Sequence, residues 1–173
     1  MTATTASEAQ GLEAVRAALA AKPDGVLESL AESHGVSYRA VLDCLPPDQR
    51  RSAPASAFEP IWEDLTAWGP IMFIVHTRNG VFETKGALPP GTLGRGYFNI
   101  HGDSPIGGHL NVARCNGIYF VDRQFFGRRS CSVQFIDCDG EAMFKVFAGR
   151  DRNRALLPDH VARFEALRSA HAQ

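Results

Sequence analysis

Two of the six histidines in the sequence lie close together, in a segment that is rich in glycine. The segment YFNIHGDSPIGGHLNVARC, residues 97–115, contains His101 and His109, and Gly107 and Gly108 come directly before His109. Imidazole nitrogen can bind a metal ion or the iron of a porphyrin, or it can make hydrogen bonds on a strand. The segment therefore predicts one of three environments: a protein-bound metal, a cofactor, or ordinary strand residues beside a turn.

A zinc ion bound by the protein alone is disfavoured by the spacing. His101, His109 and Cys115 follow a His-x7-His-x5-Cys pattern that matches no compact zinc site. Nucleophilic catalysis is disfavoured too, because no Gly-x-Ser-x-Gly motif occurs. The glycine-rich stretch 91–96 lacks the order of a phosphate-binding loop, so turns or bulges are expected there.

The alternation of side chains along predicted strands favours a cofactor pocket. A strand over residues 71–76 places Met72, Ile74 and His76 on one face, and a strand over 96–101 aligns Tyr97 with His101. An imidazole beside an apolar, aromatic-rich wall is suited to an iron porphyrin. Five arginines lie in or beside these strands as candidates for binding its propionates: Arg78, Arg95, Arg123, Arg128 and Arg129. The residues alone indicate a tetrapyrrole or flavin pocket in a β-rich domain.

Helices are predicted in the front part of the chain. Apolar residues recur at helical spacing up to Lys22-Pro23, and further helices are expected over 24–34, ended by Gly35, and from Ser37 to Leu45. The stretch 46–57 has the composition of a linker, and Pro60 is expected at the first position of the next helix. Residues 30–41 have the spacing of a helix-turn-helix, but the second helix carries a single arginine, which favours a packing helical hairpin over a DNA reader.

Strands are predicted from Ile71 onward. Asn79-Gly80 marks a hairpin, and further strands are expected at 96–101, 109–114, 117–123, 130–137 and 141–148, followed by an amphipathic C-terminal helix. Turn residues separate these strands, among them Gly127 and Asp139-Gly140. Short strands separated by such turns predict an α+β protein with an antiparallel sheet or barrel.

Length and charge exclude several classes of protein. The 173 residues fit one domain, and a net charge of −1 gives no electrostatic footprint for nucleic acid. No apolar run is long enough to span a membrane, and the N-terminal MTATTASEAQ does not have the pattern of a secretory signal. The four cysteines are scattered, as expected for reduced thiols in a cytoplasmic protein.

Four segments in order resemble the HutX/ChuX family of heme-utilisation proteins. They are ALAAKPDGVLESLAESHGVSYRAVLDCLP, GYFNIHGDSPIGGHLN, FVDRQFFGRRSCSVQF and MFKVFAGRDRNRALLPDHVARFEAL, which together extend over nearly the whole chain. The resemblance implies one domain, residues 1–173, in which a helical part with a linker (1–57) precedes a helix, an antiparallel sheet and a closing helix (58–173). The sheet is expected to be curved, of the split-barrel or saddle type.

The resemblance also implies a function, which is that of a cytoplasmic, homodimeric carrier that binds heme and passes it to a degrading or using partner. Its heme iron ligands look like His76 and His109 here, with Tyr97 as a further candidate and His101 ranked below these. The runner-up is a heme-modifying enzyme, one that degrades heme or reduces an open tetrapyrrole. No proton-delivery constellation is evident in the sequence, so a protein without catalytic activity is expected.

Overall fold

The computed structural model describes residues 6–173; residues 1–5, half of the N-terminal segment MTATTASEAQ, lie outside it. The described chain forms the α-helices α1 Ala6–Ala21, α2 Leu27–His34, α3 Tyr38–Asp43, α4 Phe58–Thr66 and α5 Pro158–His171. Its strands are β1 Arg50–Ala53, β2 Pro70–Thr77, β3 Gly80–Ala87, β4 Gly91–Gly94, β5 Tyr97–Ile100, β6 Gly108–Leu110, β7 Cys115–Phe125, β8 Arg128–Asp137 and β9 Ala142–Phe147. No helix in residues 6–173 combines the length and apolar character needed to cross a lipid bilayer.

Six strands form one antiparallel sheet in the order β1-β7-β8-β9-β2-β3. The hairpin of β2 and β3 is present as predicted, although its two turn residues are Arg78 and Asn79, one position earlier than expected. Since β1 and β3 are both free edges, the sheet is open and does not close into a barrel. The predicted α+β class with an antiparallel sheet is confirmed.

One face of this sheet is packed against α4 and α5 and is entirely apolar at its centre. Phe135 and Phe144 stack with ring centroids 4.4 Å apart, and the ring of Phe58 from α4 meets Phe135 edge-on at 5.2 Å. From α5, Phe164 contacts Phe120 in the same geometry at 6.0 Å. Alternate residues of the central strands therefore supply the main core, as the period of a strand requires.

The opposite face is covered by α1, α2 and α3. Their buried side chains, Val15 and Val41 among them, pack on Tyr119, Val121 and Ile136 of the sheet. Gly35 ends α2 in the left-handed conformation with φ 61°, and the side chain of Ser37 accepts a hydrogen bond from the amide of Ala40 at the start of α3. The helix-turn-helix spacing thus corresponds to a helical hairpin that packs on the sheet, and the exclusion of DNA binding stays a prediction.

A second, three-stranded sheet has the order β4-β5-β6. The expectation of turns or bulges over 91–96 is wrong for residues 91–94, which pair with β5 as β4. Gly91 has a packing role, because the ring of Phe98 lies against its Cα on the way to the main core. A Cβ at position 91 would collide with that ring. The glycine therefore allows the small sheet to be attached to the large one through Phe98.

Three further boundaries differ from the sequence prediction. Residues 46–57 are not a linker throughout, because Arg50–Ala53 pairs with β7 and a 3-10 turn follows over Ala55–Ala57. That turn runs directly into α4, which begins at Phe58, so Pro60 is the third residue of the helix and not the first. The strand predicted over 109–114 is shorter, since β6 ends at Leu110 and Val112–Arg114 forms a 3-10 turn.

Candidate functional site

One face of the small sheet gathers the predicted side chains of the histidine-rich segment. The register pairs Asn99 with Thr92 on one side and with His109 on the other. Paired residues of neighbouring strands point to the same face, and so do Tyr97 and His101, which lie two positions from Asn99. His101, His109 and Tyr97 are all exposed on this face.

Asn99 fixes the tautomer of His109. Its amide nitrogen donates to three backbone carbonyls, those of Gly94 at 3.1 Å, Tyr97 at 3.2 Å and Thr92 at 3.3 Å. Because carbonyls only accept, this arrangement leaves Oδ1 of Asn99 facing Nδ1 of His109 at 2.7 Å. Nδ1 must therefore carry the hydrogen, and the lone pair of the neutral ring is on Nε2.

His101 is held differently. Its Nε2 lies 2.7 Å from the hydroxyl oxygen of Thr92, so the nitrogen that is free in His109 is engaged in His101. The structure thus separates two histidines that the sequence places in one motif, and it gives His101 a hydrogen-bonding role within the small sheet.

Tyr97 stands beside His109. The two rings meet edge to face with centroids 6.4 Å apart, and 47% of Tyr97 is exposed. Its hydroxyl makes no hydrogen bond to any other residue of the described chain. A phenol oxygen in this position is open to an external ligand.

The glycine pair before His109 leaves that approach open. Gly108 has φ 136°, a conformation that side-chain-bearing residues rarely adopt, so glycine is required at this position. A Cβ added at Gly107 or Gly108 would meet nothing within 4 Å. The space beside the backbone is therefore open at these two residues, and the approach of a flat group stays a prediction.

His76 lies on the large sheet, near the tip of the β2–β3 hairpin. It is opposite Val81 in the register, on the face that carries the three N-terminal helices. Its Nδ1 lies 2.9 Å from a carboxylate oxygen of Glu28 in α2, and 26% of its side chain is exposed. A carboxylate on Nδ1 again fixes the hydrogen there and leaves the lone pair on Nε2.

Glu28 belongs to a buried polar network that the sequence analysis missed. Lys145 of β9 binds Glu28 and also donates to the hydroxyl of Tyr38 at 2.7 Å, which in turn donates to Gln134 at 2.7 Å. Burial alone would raise the pKa of Glu28, but the charge of Lys145 and its hydrogen bond outweigh burial, so that pKa lies below its usual value. The available signal was Lys145 itself, since a lysine in the middle of the apolar strand MFKVF requires an acidic partner.

The two predicted ligands do not meet within the described chain. His76 is at one end of the β2–β3 hairpin, whereas Pro105, four residues before His109, packs against Gly86 towards the other end. No contact joins His76 to His109, Tyr97 or His101 in residues 6–173. The sequence could not show this separation, because it depends on how the small sheet is attached to the large one.

Two of the five predicted arginines are committed to structural contacts. Arg123 is buried and donates to the carbonyls of Pro23 and Gly25 at 2.6 and 3.0 Å. Arg129 forms a two-pronged contact with Asp122 at 2.9 and 2.7 Å. Arg78 and Arg95 are exposed and make no side-chain hydrogen bond within residues 6–173.

The three residues considered as zinc ligands lie in two different places. Cys115 is buried at the start of β7, while His101 and His109 are exposed on the small sheet. Within residues 6–173, no three of the histidine, cysteine, aspartate and glutamate side chains are grouped as metal ligands.

The sequence matches a known protein family over more than half of its length. Residues 51–167 match the family model described as haem utilisation ChuX/HutX. The chain belongs to the ChuX/HutX family. The resemblance predicted from the four sequence segments is therefore confirmed.

Individual proteins match this chain over most of their length. The intracellular heme transport protein HutX of Vibrio cholerae is 34% identical over 146 residues, which cover 84% of this chain and 76% of HutX. A crystal structure from Agrobacterium tumefaciens is 45% identical with a TM-score of 0.86, covering 95% of this chain and 94% of that one. The heme-binding protein ChuX is 33% identical with a TM-score of 0.82, covering 90% and 97% of the two chains. These similarities extend to the helices that precede residue 51.

Proposed function

We propose that this member of the ChuX/HutX family binds heme through Nε2 of His76 and of His109, as alternate ligands because the two side chains do not meet within one chain, and carries it inside the cell to a protein that degrades or uses it. One observation carries the choice of ligands. Both imidazoles have Nδ1 occupied by an oxygen acceptor and Nε2 unengaged, whereas His101 uses Nε2 for Thr92. Heme binding as such is supported by the relatives HutX and ChuX.

The remaining residues of the site suit the same ligand. A heme supplies an iron with two axial positions, a flat apolar ring and two anionic propionates. Tyr97 offers a phenol oxygen next to His109 as an alternate ligand, and the opening beside Gly107 and Gly108 admits a flat ring. Of the five predicted arginines, Arg123 and Arg129 are engaged elsewhere, and Arg78, Arg95 and Arg128 make no side-chain hydrogen bond within residues 6–173. Arg78 follows the strand of His76 and Arg95 lies in the small sheet of His109, so these two are the proposed propionate partners.

A hemin titration of the purified protein tests this assignment. A saturable Soret band is expected for the wild type, and it should be lost or shifted to that of weakly bound hemin in a variant with both His76→Ala and His109→Ala. His101→Ala is the matched control, because it removes an equally exposed imidazole of the same small sheet. A Soret band that survives the double substitution, or is lost in the control, contradicts the assignment.

We also propose that the protein is a carrier without catalytic activity. His109, Tyr97 and Asn99 lie on an exposed sheet face, where no part of the described chain obstructs the release of a bound ligand. Loading the protein with heme and adding a reductant in air separates the two functions. A Soret band that stays constant, and that moves to an apoprotein acceptor such as apomyoglobin on mixing, is expected; steady loss of the band with formation of an open tetrapyrrole would favour the enzyme.

A homodimer is part of the proposal. Strand β3 is a free edge of the large sheet, and it exposes Val81 by 51% and Phe82 by 65%. Unpaired edge strands with apolar side chains favour pairing with another chain. Since Val81 is opposite His76, a second copy on this edge would lie beside that ligand. Light scattering should show a dimer that Phe82→Glu dissociates and that Phe126→Glu, at a comparably exposed site, leaves intact; a wild-type monomer contradicts it.

A cytoplasmic location completes the proposal. The relative HutX is an intracellular protein, and Cys44, Cys115, Cys131 and Cys138 are all free thiols. Unpaired cysteines are typical of reducing compartments. Fractionation of cells that produce the protein should place it with the cytoplasmic enzymes.

A further inference from the structure

A second concave surface lies away from the histidines, between the start of β8, the loop 149–157 and the first turns of α5. This groove has a volume of about 700 Å³. Its lining includes four arginines, one carboxylate from Glu165 and apolar side chains such as Leu156 and Val161. The arginines are Arg128, Arg129, Arg150 and Arg154. Such a concentration of positive charge is local, because the whole chain has a net charge of −1.

Within residues 6–173, three of the four guanidinium groups have no acidic partner. Arg129 is paired with Asp122 and Glu165. Arg150 donates only to the backbone carbonyls of Arg154 at 2.9 Å and Arg129 at 2.6 Å. The side chains of Arg128 and Arg154 make no hydrogen bond or ion pair to the rest of the described chain. Burial, and then the positive charges of Arg128 and Arg154 in the same groove, lower the pKa of Arg150.

One residue of the loop 149–157 has a strained backbone. Arg154, which lines the groove, has φ 64°, whereas Phe126 at 47° belongs with Gly127 to the two-residue turn between β7 and β8. Such conformations cost on the order of 1–3 kcal/mol each and persist where the surrounding structure enforces them, often at functional sites. Phe125 and Phe126, which precede Gly127 and Arg128 in the same hairpin, are exposed by 38% and 63%.

Asp151 holds the strained loop in place. Its side chain accepts hydrogen bonds from the amides of Asn153 at 2.8 Å and Ala155 at 3.0 Å, and Arg150 pairs with Leu156 as an isolated bridge. The loop therefore presents Arg154 over the groove in a fixed conformation, although its left-handed backbone would suit asparagine or glycine better.

We propose that this groove is a docking site for an acidic polypeptide segment of a partner protein, one in which carboxylates flank an apolar side chain. The unpaired guanidinium groups match carboxylates in charge and in their two-pronged geometry. The apolar residues that line the groove, Leu156 and Val161 among them, provide a surface that a hydrophilic anion would leave exposed to water. A groove of about 700 Å³ is also much larger than a single inorganic anion needs.

The docking site does not depend on the heme ligands. None of the residues that line the groove is a histidine, and neither His76 nor His109 contacts it in the described chain. The proposal goes beyond heme binding and survives or fails separately from it.

Fluorescence anisotropy with a short fluorescein-labelled peptide, in which glutamates flank a leucine and a phenylalanine, tests the proposal. We expect saturable, salt-sensitive binding to the wild type, and affinity reduced about tenfold or more by the double variant Arg128→Glu with Arg154→Glu. Arg152→Glu is the matched control, because it reverses a charge in the same loop at a residue that does not line the groove. The control should bind like the wild type.

A milder double variant protects the test against misfolding. Arg128→Ala with Arg154→Asn removes both guanidinium groups and places a residue that tolerates a left-handed backbone at position 154. It should keep the wild-type thermal unfolding and still lose the peptide.

Several results would overturn the proposal. Equal weakening by Arg152→Glu would mean that net charge alone attracts the peptide. Unchanged binding in both double variants would place the peptide elsewhere. Tight binding of inorganic phosphate, or of a peptide of glutamates alone, with the same affinity would reduce the groove to an anion site. A change of oligomeric state in the double variants would make a second copy of the chain the occupant.

Discussion

His109 and His76 are held in the same way by regions that differ in almost every other respect. At His109 the acceptor on Nδ1 is a neutral amide, fixed by backbone carbonyls of two adjacent strands on an exposed sheet face. At His76 it is a carboxylate from a separate helix, paired with a buried lysine. A free Nε2 therefore depends on local strand pairing at His109 and on long-range packing at His76. Changes in the helices should therefore reach His76 and leave His109 unaffected.

The largest expected effect of this difference is on stability. Lys145→Met leaves the Glu28 carboxylate and the Tyr38 hydroxyl without their buried partner, and should lower the free energy of unfolding by about 3 kcal/mol. Asn99→Ala removes hydrogen bonds at a partly exposed site and should cost about 1 kcal/mol or less. Urea unfolding measures both values. Equal losses of unfolding free energy would show that the buried network contributes no more to stability than the exposed hydrogen bonds of Asn99.

The next effect is on ligand binding. Asn99→Ala removes the acceptor from His109 Nδ1 and should weaken heme binding roughly tenfold or more, as losses of outer hydrogen-bond partners do at metal sites. His101→Ala should bind heme like the wild type. Nitrogen-15 NMR of the protein without heme provides an independent readout, because Asn99→Ala should mix the two tautomers of His109 and leave His76 unchanged. A His109 that keeps a single tautomer would show that Asn99 does not fix it.

The ion pair of Asp122 and Arg129 predicts how the stability of the fold depends on pH. The hydrogen bond from Arg129, and less strongly its charge, lowers the pKa of Asp122 in spite of partial burial. Asp122 therefore stabilises the fold above its ordinary pKa of about 3.9, and this contribution is lost as the pH falls through the lower value of the folded state. Asp122→Asn should flatten the acid limb of a plot of urea midpoint against pH, while Asn99→Ala should shift the plot without changing its shape.

The smallest effect is on thiol reactivity. Burial raises the pKa of Cys131 to about 12, so it should react with a thiol reagent only after unfolding, whereas the exposed Cys138 should react at once. Cys44, which is half-buried at the end of α3, reports on the helical segment. Lys145→Met should accelerate labelling of Cys44 more than Asn99→Ala does. The reverse order would show that the contacts of Lys145 with Glu28 and Tyr38 do not hold the helices on the sheet.

Much of the fold followed from local sequence signals. Gly35 and the cap at Ser37 marked the helical hairpin, and the turn residues between β7 and β8 and between β8 and β9 marked the central strands. These elements were predictable because their chemistry is contained within a few neighbouring residues. The strands β1 and β4 were missed for the opposite reason: both are four residues long, and their partners in β7 and β5 define them as strands.

The site was predictable as a set of residue types and less so as a geometry. Strand alternation correctly aligned Tyr97, Asn99 and His101. It could not show that Thr92 engages His101, because β4 had been interpreted as turns. Glu28 was beyond reach for a similar reason, since its contact with His76 joins residues that are 48 positions apart in the sequence. Long-range contacts of this kind depend on packing that no local pattern contains.

The position of Glu28 has a consequence for any shortened form of the protein. The family model begins at residue 51, whereas the carboxylate that orients His76 is at residue 28. A fragment that starts at residue 51 would keep both imidazoles and lose one of their two anchors. The ring of His76 would then be free to rotate and exchange tautomers, and Lys145 would become a hydrated cation on an uncovered sheet. Such a fragment would have one rigid nitrogen donor and one fluctuating donor.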